Sequence, residues 1–202
     1  MRNNVQTILL TSGWLLNYLF FPKFAESQEP FCSWGRNTQS TSPSSESSYG
    51  EDLAVDQNGM IYFIGNFETP NIELGPFNSQ NMAAIGSSDI FLAKADSNGT
   101  ILWLKSMGGI SLDRVSRLTV DHFGHLYFCG SFASPSVSVG GATVYGNGGQ
   151  PNFILVSYDT NGNFRWMHGG NGDSWGHDMC TDQYGTVYFT GQFAQTITIG
   201  ST

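Results

Sequence analysis

The stretch AVDQNGMIYFIGNF, residues 54–67, recurs twice in this chain of 202 residues. The other copies read TVDHFGHLYFCGSF at 119–132 and CTDQYGTVYFTGQF at 180–193. All three share one frame: Asp, two variable residues, Gly, two variable residues, Tyr-Phe, one variable residue, Gly, one variable residue and Phe. The frames begin 65 and 61 residues apart. Self-similarity at a fixed period is the signature of a repeat architecture, so this stretch predicts a fold built from repeated units.

A second Asp-x-x-Gly element lies between successive frames. DSNGTILW at residues 96–103 returns as DTNGNFRW at 159–166. The separations between successive elements alternate between long (40 and 38 residues) and short (25 and 23 residues). The repeat unit is therefore about sixty residues long and holds two elements. The five aspartates that begin them are Asp56, Asp96, Asp121, Asp159 and Asp182.

Asp-x-x-Gly predicts a type I turn that closes a β-hairpin. The Asp side chain can accept a hydrogen bond from the backbone two residues on, and Gly at the fourth position allows the positive φ of the return. The flanking runs, such as MIYFIG at 60–65 and TILWLK at 100–105, are rich in β-branched and aromatic residues, as strands are. Each unit thus predicts two hairpins, or four antiparallel strands, with the aspartates as structural turn residues.

Metal binding is the alternative interpretation of these turns. A calcium loop needs several oxygen ligands and a bidentate Glu at its end, whereas each turn here offers one Asp. His122 and His125 flank one turn, but the other repeats have Gln, Met or Thr at their positions, and zinc needs three or four converging ligands. We therefore predict no metal site.

Composition places the chain among turn-rich β proteins. It has 25 glycines, 14% aromatic residues and only 12% charged residues, a profile that fits neither a disordered chain nor a helical bundle. The net charge is −8. Because binding to nucleic acid needs a basic surface, this charge argues against nucleic acid as a partner.

Residues 1–27 predict a secretory signal peptide. Arg2 supplies a positive start, ILLTSGWLLNYLFF at 8–21 an apolar core, and AES at 25–27 small residues for a signal peptidase. A membrane anchor is the alternative, but the apolar run is short for a span and is interrupted by polar residues and Gly. We expect the mature chain to be secreted or at the cell surface, without a membrane span.

The strands at residues 60–67 and 186–193, MIYFIGNF and TVYFTGQF, show little alternation of polar and apolar residues. A strand that is apolar at consecutive positions is covered on both faces. A four-stranded sheet that is covered on both faces must lie between two similar sheets. The radial stacking of small sheets in a β-propeller covers each sheet in this way. Immunoglobulin-like arrays repeat at about 100 residues, which is too long.

The frame Ala-Val-Asp-x-x-Gly-x-x-Tyr-x-x-Gly-x-Phe, followed by SSDIFLAKADSNGTILWLKSMGG at 87–109, resembles the SBBP-type β-propeller repeat. That family is found in secreted and surface proteins, largely of bacteria. The resemblance covers about residues 49–202. It implies an all-β fold of four-stranded antiparallel blades, with one blade at 49–110, a second at 111–172 and a partial third at 173–202. The third copy lacks its second hairpin, and the second has QPNFILVSYD in place of SSDIFLAKAD.

A ring needs about four to eight blades, so we expect an incomplete ring and a fragment of a larger protein. Residues 28–48 precede the first blade. Within them, FCSWG at 31–35 is predicted to be a lone strand that carries a Trp. The Ser-rich stretch at 38–48 is predicted to be an exposed loop or linker.

Two tryptophans recur at one position of the repeat. Trp103 and Trp166 each lie seven residues after an Asp, and we predict that both are largely buried as structural packing between blades. Quinoprotein propellers are similar in placing Trp after an Asp-containing turn, but their motif has a Thr before the Gly that this chain lacks, so no cofactor is predicted. Cys129 and Cys180 lie in predicted strands and are expected to be small buried residues.

The loops that lead into the predicted blades carry the most varied polar groups of the repeat. Asp52, Arg117 and Asp178 are equivalent, and Trp175 and His177 accompany the last of them. An aromatic ring beside carboxylates suits contact with a sugar or a peptide, because the ring stacks on apolar faces while the acids accept hydrogen bonds. These five are the candidate ligand-loop residues.

The sequence favours a binding function over catalysis. GDSWG at 172–176 resembles a nucleophile elbow only superficially, since its Ser is misplaced for Gly-x-Ser-x-Gly, and we predict no catalytic residues. We expect a secreted or surface scaffold for binding and interaction, with extracellular polysaccharide or a surface protein as the partner. The alternative is part of a propeller enzyme, quinoprotein-like or glycan-active, whose catalytic residues lie in blades outside this chain.

Overall fold

The computed structural model describes residues 38–40, 48–68, 72–74, 85–170 and 172–194. All of them belong to one unit of the chain, and they form strands and turns without a helix. The sheets are antiparallel, so the prediction of an all-β protein is confirmed. The described residues therefore provide no helix that could cross a membrane. The predicted signal peptide and the predicted strand around Trp34 lie outside the described residues.

In chain order the strands are β1 (Thr38–Ser40), β2 (Ser48–Val55), β3 (Ile61–Phe67), β4 (Ile72–Leu74), β5 (Asp89–Ala95), β6 (Ile101–Met107), β7 (Asp113–Val120), β8 (Leu126–Phe132), β9 (Ser136–Val139), β10 (Ala142–Tyr145), β11 (Asn152–Tyr158), β12 (Phe164–Gly169), β13 (Ser174–Thr181) and β14 (Val187–Phe193).

Three sheets repeat one arrangement. Sheet 1 has the order β2–β3–β5–β6, and sheet 2 has the order β7–β8–β11–β12. Sheet 3 consists, within the described residues, of β13 and β14. Each four-stranded sheet is a meander with an excursion between its second and third strands. In sheet 2 this excursion is the β9–β10 hairpin, and in sheet 1 it contains β4, which pairs with β1.

Each of the five repeat aspartates opens the turn of a hairpin. In every turn the Gly N–H donates to the Asp carbonyl at 2.9–3.1 Å, and the Asp N–H donates to the carbonyl four residues later. The turn glycines have φ between 76° and 85°, a left-handed conformation that strains any residue with a side chain. The backbone therefore requires glycine at these positions, which are Gly59, Gly99, Gly124, Gly162 and Gly185.

Sheet 2 is buried on both faces. On one side, Leu126, Phe128 and Ile154 join a cluster shared with sheet 1. On the other side, Tyr127 and Phe153 join a cluster shared with sheet 3. Since successive residues of a strand point to opposite faces, the lack of polar alternation in β8 and β11 follows from this double cover.

The sheets stack in the same way twice. β7, the first strand of sheet 2, contacts β2, β3 and β5 of sheet 1, and β13, the first strand of sheet 3, contacts β7, β8 and β11 of sheet 2. The contacted strands hold the same places in their sheets, so sheet 3 lies on sheet 2 as sheet 2 lies on sheet 1. This stacking brings the three first strands, β2, β7 and β13, side by side.

Three expectations about single segments differ from the structure. Residues 38–40, predicted to be loop, form β1 because their backbone pairs with β4. Of the two cysteines that were expected to be buried, Cys129 is buried, and burial raises the pKa of its thiol to about 12. Cys180 is exposed, because it lies on the face of β13 that points away from sheet 2. Trp103 and Trp166 are half-buried and not largely buried, because they lie on the outermost strands β6 and β12.

A buried polar seam joins sheets 1 and 2 where β5 and β7 begin. The Asp113 carboxylate accepts the Gly109 N–H, the Ser134 N–H and the Ser134 hydroxyl. The Asn66 amide donates to the carbonyls of Asp89 and Asp113. Asn66, Asp89 and Asp113 are each only 1% exposed, so an unpaired group in this seam would be costly.

Asp89 is less well satisfied than Asp113. Its Oδ2 accepts the Ile85 N–H, but its Oδ1 is buried without a hydrogen-bond partner. Burial raises the pKa of Asp89, the Ile85 N–H opposes that rise, and the charge of Asp113 adds to it. At the equivalent position sheet 2 has Asn152, whose amide is hydrogen-bonded at both its nitrogen and its oxygen.

Phe128→Ala and Phe153→Ala should each lower the free energy of unfolding by about 3–5 kcal/mol, because each removes a buried ring from a different face of sheet 2. Phe123→Ala is the control at a site that is 60% exposed, and should cost less than about 1 kcal/mol. Chemical denaturation followed by tryptophan fluorescence measures all three. A small loss for only one core variant would mean that its face is not packed.

Asp89→Asn should stabilise the fold at pH 7 by about 1 kcal/mol, because it removes a buried charge and copies the residue of sheet 2. The pKa of Asp89 is higher in the folded state than its unfolded-state value of about 3.9. The wild type therefore loses stability as the pH rises from the unfolded-state pKa through the folded-state pKa. The advantage of the variant should therefore shrink in acid. Urea denaturation at pH 7 and pH 4 measures both effects.

The reciprocal variant Asn152→Asp is the matched control for Asp89→Asn and should destabilise the fold at pH 7. A destabilised Asp89→Asn variant, or one whose effect does not change with pH, would show that the Asp89 carboxylate is not strained by burial.

Candidate functional site

The three first strands end together, and the turns that follow them line one cleft. The cleft has a volume of about 320 Å³. Each turn contributes the last residue of the strand, the Asp and the residue after it, at 55–57, 120–122 and 181–183. The repeat thus presents three equivalent sets of groups to one space.

The aspartates of these turns are engaged within their own hairpins. In each turn Oδ1 accepts the N–H groups of the residues two and four positions later, and Oδ2 accepts the Tyr hydroxyl six positions later, at distances of 2.8–3.2 Å. Asp121 has an additional partner, since His125 Nδ1 lies 2.9 Å from its Oδ2. These carboxylates hold the turns in shape, and other groups of the turns are better placed to contact a ligand.

Hydrogen bonding lowers the pKa of two of these carboxylates, those of Asp121 and Asp182. Burial alone would raise the pKa of Asp121, but hydrogen bonds from His125 and Tyr127 outweigh it and lower that pKa. The Thr186 N–H is the largest cause that lowers the pKa of Asp182. The cleft therefore carries negative charge at neutral pH, although each of these charges is already hydrogen-bonded.

The residue after each Asp is exposed and can form hydrogen bonds. These residues are Gln57, His122 and Gln183. Two carboxamides and an imidazole together offer both donors and acceptors. Such a set can recognise hydroxyl or amide groups without requiring a charged ligand.

Two aromatic rings stand beside these groups. Phe123 and Tyr184 occupy equivalent turn positions and are 60% and 76% exposed. The Phe123 ring centroid lies 3.6 Å from that of His122. The same ring also lies close to the neighbouring turn, since a Cβ on Gly185 would be 3.3 Å from it. Phe123 thus offers an apolar surface next to His122 of the cleft, and Tyr184 offers an exposed ring at the equivalent position of the next turn.

A row of charged groups crosses the same three strands further from the turns. Asp52 of β2 accepts the Leu118 N–H of β7 at 2.9 Å. Arg117 of β7 donates to Asp178 of β13 at 3.2 Å. Asp52, Arg117 and Asp178 each follow a β-bulge in their strand, which explains why equivalent positions meet across the three sheets. The structure thus brings together three of the five candidate ligand-loop residues.

The other two candidates lie apart from this row. His177 is the extra, exposed residue of the β13 bulge, and Trp175 pairs with Gln192 and is half-buried. Neither shares a hydrogen bond or ring contact with the row among the described residues. The prediction that the five residues lie in loops was wrong, because β2, β7 and β13 begin at Ser48, Asp113 and Ser174 and include them all.

Sequence reasoning missed the groups that line the cleft. Gln57, His122 and Gln183 vary among the repeats, and that variation served only as an argument against a metal site. A usable signal was present, since every copy has a hydrogen-bonding side chain directly after the repeated Asp.

Among the described residues, no three His, Cys, Asp or Glu side chains are grouped so that they could hold a metal ion. No model of a known protein family matches the chain, and no curated protein is detectably similar to it. Function must therefore be inferred from the geometry of the cleft and of the charged row.

Asp121→Asn should lower the free energy of unfolding at pH 7 by about 1–3 kcal/mol, the scale of hydrogen bonds to a charged group. The folded-state pKa of Asp121 is depressed, so its contribution is present above the unfolded-state pKa of about 3.9 and is lost as the pH falls through the folded-state value. The difference between wild type and variant should shrink accordingly below about pH 4.

Denaturation curves from pH 7 to pH 2.5 test this expectation. Asp173→Asn is the control, because the Asp173 side chain makes no hydrogen bond with other described residues. A destabilisation by Asp121→Asn that stays constant over the whole range would contradict the assigned role of the carboxylate.

Proposed function

We propose that sheets 1, 2 and 3 are blades of a β-propeller of the SBBP-repeat kind, and that the protein is a secreted or cell-surface scaffold that binds extracellular polysaccharide in the cleft between its turns. The meander order and the repeated stacking support the blade interpretation. The side-by-side first strands support it further, because such strands surround the axis of a propeller. The signal-like segment at 1–27 supports export.

The observation that carries the binding proposal is the convergence of three equivalent turns on one cleft. Hydrogen-bonding side chains follow each turn Asp, and two exposed rings stand beside them. Sugars present hydroxyl groups at their edges and apolar C–H groups on their faces. Amides and imidazole suit the hydroxyl groups, while Phe123 and Tyr184 suit the faces.

Charge favours a neutral polymer over an anionic one. Three aspartates lie in the wall of the cleft, and the whole chain has a net charge of −8. An anionic ligand would be repelled by this field. A neutral polysaccharide is not repelled by this field, and its hydroxyl groups can donate hydrogen bonds to the acceptors of the cleft.

The charged row supplies a second contact zone for a long ligand. The Arg117 and Asp178 side chains are 46% and 66% exposed, and exposed ion pairs contribute little to stability. Arg117 and Asp178 can therefore exchange their mutual contact for hydroxyl groups at small cost. A polymer that leaves the cleft along the first strands would meet them next, with Asp52 beyond.

The experiment is a glycan-array screen of the full chain, followed by titration of the best neutral glycan. Tyr184→Ala should weaken binding about tenfold, because it removes a stacking ring. Tyr145→Ala is the matched control, since Tyr145 is 71% exposed but lies on β10, away from the cleft. Its affinity should equal that of the wild type.

Two outcomes would overturn this assignment. One is binding that both Tyr variants retain equally, which would place the ligand outside the cleft. The other is release of shortened glycan during the titration, which would make the protein an enzyme. Capture of a surface protein that survives excess glycan but is lost in Tyr184→Ala would move the same cleft to a protein partner.

A further inference from the structure

A second cavity lies where β6, the outermost strand of sheet 1, faces the β9–β10 hairpin and the β11–β12 turn of sheet 2. It has a volume of about 550 Å³, within the range of about 300–1,000 Å³ that is typical of small-molecule sites. Every residue that lines it lies within 105–164, a stretch that the structure describes without a gap. The cavity shares no lining residue with the turn cleft.

The two walls that sheet 2 contributes are fixed in place. Thr160 anchors the β11–β12 turn on sheet 1, since its hydroxyl lies 2.7 Å from the Tyr62 hydroxyl and its carbonyl accepts a hydrogen bond from Lys94 Nζ at 2.9 Å. The β9–β10 turn has a positive φ of 57° at Gly140. It packs so closely on Phe164 that a Cβ on Gly140 would overlap the ring. The cavity is therefore formed before any ligand binds.

The Tyr158 hydroxyl is a buried group without a hydrogen-bond partner in the described part of the chain. Tyr158 is only 4% exposed, and its ring contacts those of Phe128 and Phe164 while its hydroxyl bonds to no other described residue. Burial raises the pKa of Tyr158 to about 12, so the hydroxyl keeps its proton at neutral pH. An unpaired buried hydroxyl costs free energy. Because Tyr158 lines the cavity, a bound molecule can supply the missing acceptor.

Lys105 brings a positive charge to the same cavity. Among the described residues its ammonium group has neither an ion pair nor a hydrogen bond. Its side chain lies along the β11–β12 turn, since a Cβ on Gly162 would be 3.1 Å from Lys105 Cε. The carboxylate of this turn, Asp159, does not line the cavity and accepts hydrogen bonds from Asn161 and Asn163. The charge of Lys105 is thus available to a ligand.

Lys105 and Tyr158 lie close to a third polar residue, Ser106. A smaller cavity of about 10 Å³ is lined by the same three residues and by core side chains such as Leu92 and Phe128. The three residues therefore meet at the end of the large cavity that borders the core. The Ser106 hydroxyl also bonds to no other described residue. An ammonium and two hydroxyl groups can all donate hydrogen bonds, and such a set matches an anionic oxygen group.

We propose that this cavity binds a small organic molecule that carries one carboxylate and an apolar ring or chain. The carboxylate accepts hydrogen bonds from the Lys105 ammonium and from the hydroxyls of Ser106 and Tyr158. The apolar part lies against the half-buried side chains of Val139 and Phe164. One Lys balances one negative charge, so a monocarboxylate suits this site better than a phosphate dianion does in a chain of net charge −8. The inference does not depend on polysaccharide binding in the turn cleft.

Benzoate is the probe, and benzamide, which has nearly the same shape without the charge, is its matched control. Each is titrated into the full chain, and binding is followed by the backbone amide resonances in two-dimensional NMR. Benzoate should shift the resonances of residues 105–106, 138–140 and 162–164, which line the cavity. Benzamide should bind about tenfold more weakly, the scale of one hydrogen bond to a charged group.

Variants at the charged end of the cavity test its role. Lys105→Gln should weaken benzoate binding about tenfold, because it removes the only cation that lines the cavity. Arg114→Gln is the matched control, since Arg114 is exposed on β7 and does not line the cavity. Its affinity for benzoate should equal that of the wild type.

Tyr158→Phe separates binding from folding. Because the hydroxyl has no partner among the described residues, its removal should leave the urea midpoint unchanged or raise it, while benzoate binding weakens about tenfold. Tyr145→Phe, at a residue of β10 that is 71% exposed, is the control and should change neither quantity.

Several results would overturn the proposal. One is equal affinity for benzoate and benzamide, or no shift at the resonances of the cavity. Another is a Tyr158→Phe variant that lowers the urea midpoint without weakening benzoate binding, which would show that the hydroxyl serves the fold alone. Tighter binding of inorganic phosphate than of benzoate at this site would overturn the assignment of a monocarboxylate.

Discussion

Sheet 2 must be buried on both faces, and the positions of sheets 1 and 3 follow from that requirement. Its central strands have apolar residues at consecutive positions, and every residue of β11 is buried. A single sheet would leave the apolar side chains on both of its faces exposed to water, so other sheets must cover each face. The clusters on the two faces are built by sheet 1 and by sheet 3. The stacking of the three sheets therefore follows from the apolar composition of these strands.

Polar contacts then determine how one sheet lies on the next. The hairpin turns have a fixed shape because each repeat Asp accepts two backbone N–H groups, and the Asp159 carboxylate also accepts the Asn163 side-chain amide. That rigid shape allows a turn to enter the neighbouring sheet, where Thr160 meets Tyr62, Lys94 and Trp103. Rigid turns at the other hairpin of each unit converge on the cleft. The same type of Asp-x-x-Gly turn thus serves both in the packing of one sheet on the next and in the candidate functional cleft.

The sequence was informative wherever the repeat itself carried the signal. The period predicted the β class, and the Asp-x-x-Gly spacing placed hairpin turns where the structure has them. It was weaker for contacts between units, because a repeat frame says nothing about which side chains meet across it. The contact of the Thr160 turn with sheet 1 could not be predicted for this reason, since Lys94 and Thr160 are 66 residues apart.

The candidate site was predictable in part. The sequence identified Asp52, Arg117 and Asp178 as equivalent residues, and they form one row. It did not reveal the β-bulges that place them within strands, because a single extra residue leaves no mark in the frame. It did not predict Gln57, His122 and Gln183 as cleft residues, since variation at a turn is as compatible with ligand contact as with simple exposure to solvent.

The coupling between Tyr62 and Thr160 tests whether like sheets stack through a hairpin turn that is held by the neighbouring sheet. A double-mutant cycle of Tyr62→Phe and Thr160→Val, measured by chemical denaturation, isolates the interaction of the two side chains. We expect a coupling free energy of about 1 kcal/mol for this pair. The parallel cycle of Tyr127→Phe and Thr160→Val should give a value near zero. A value near zero for the first pair would contradict the account.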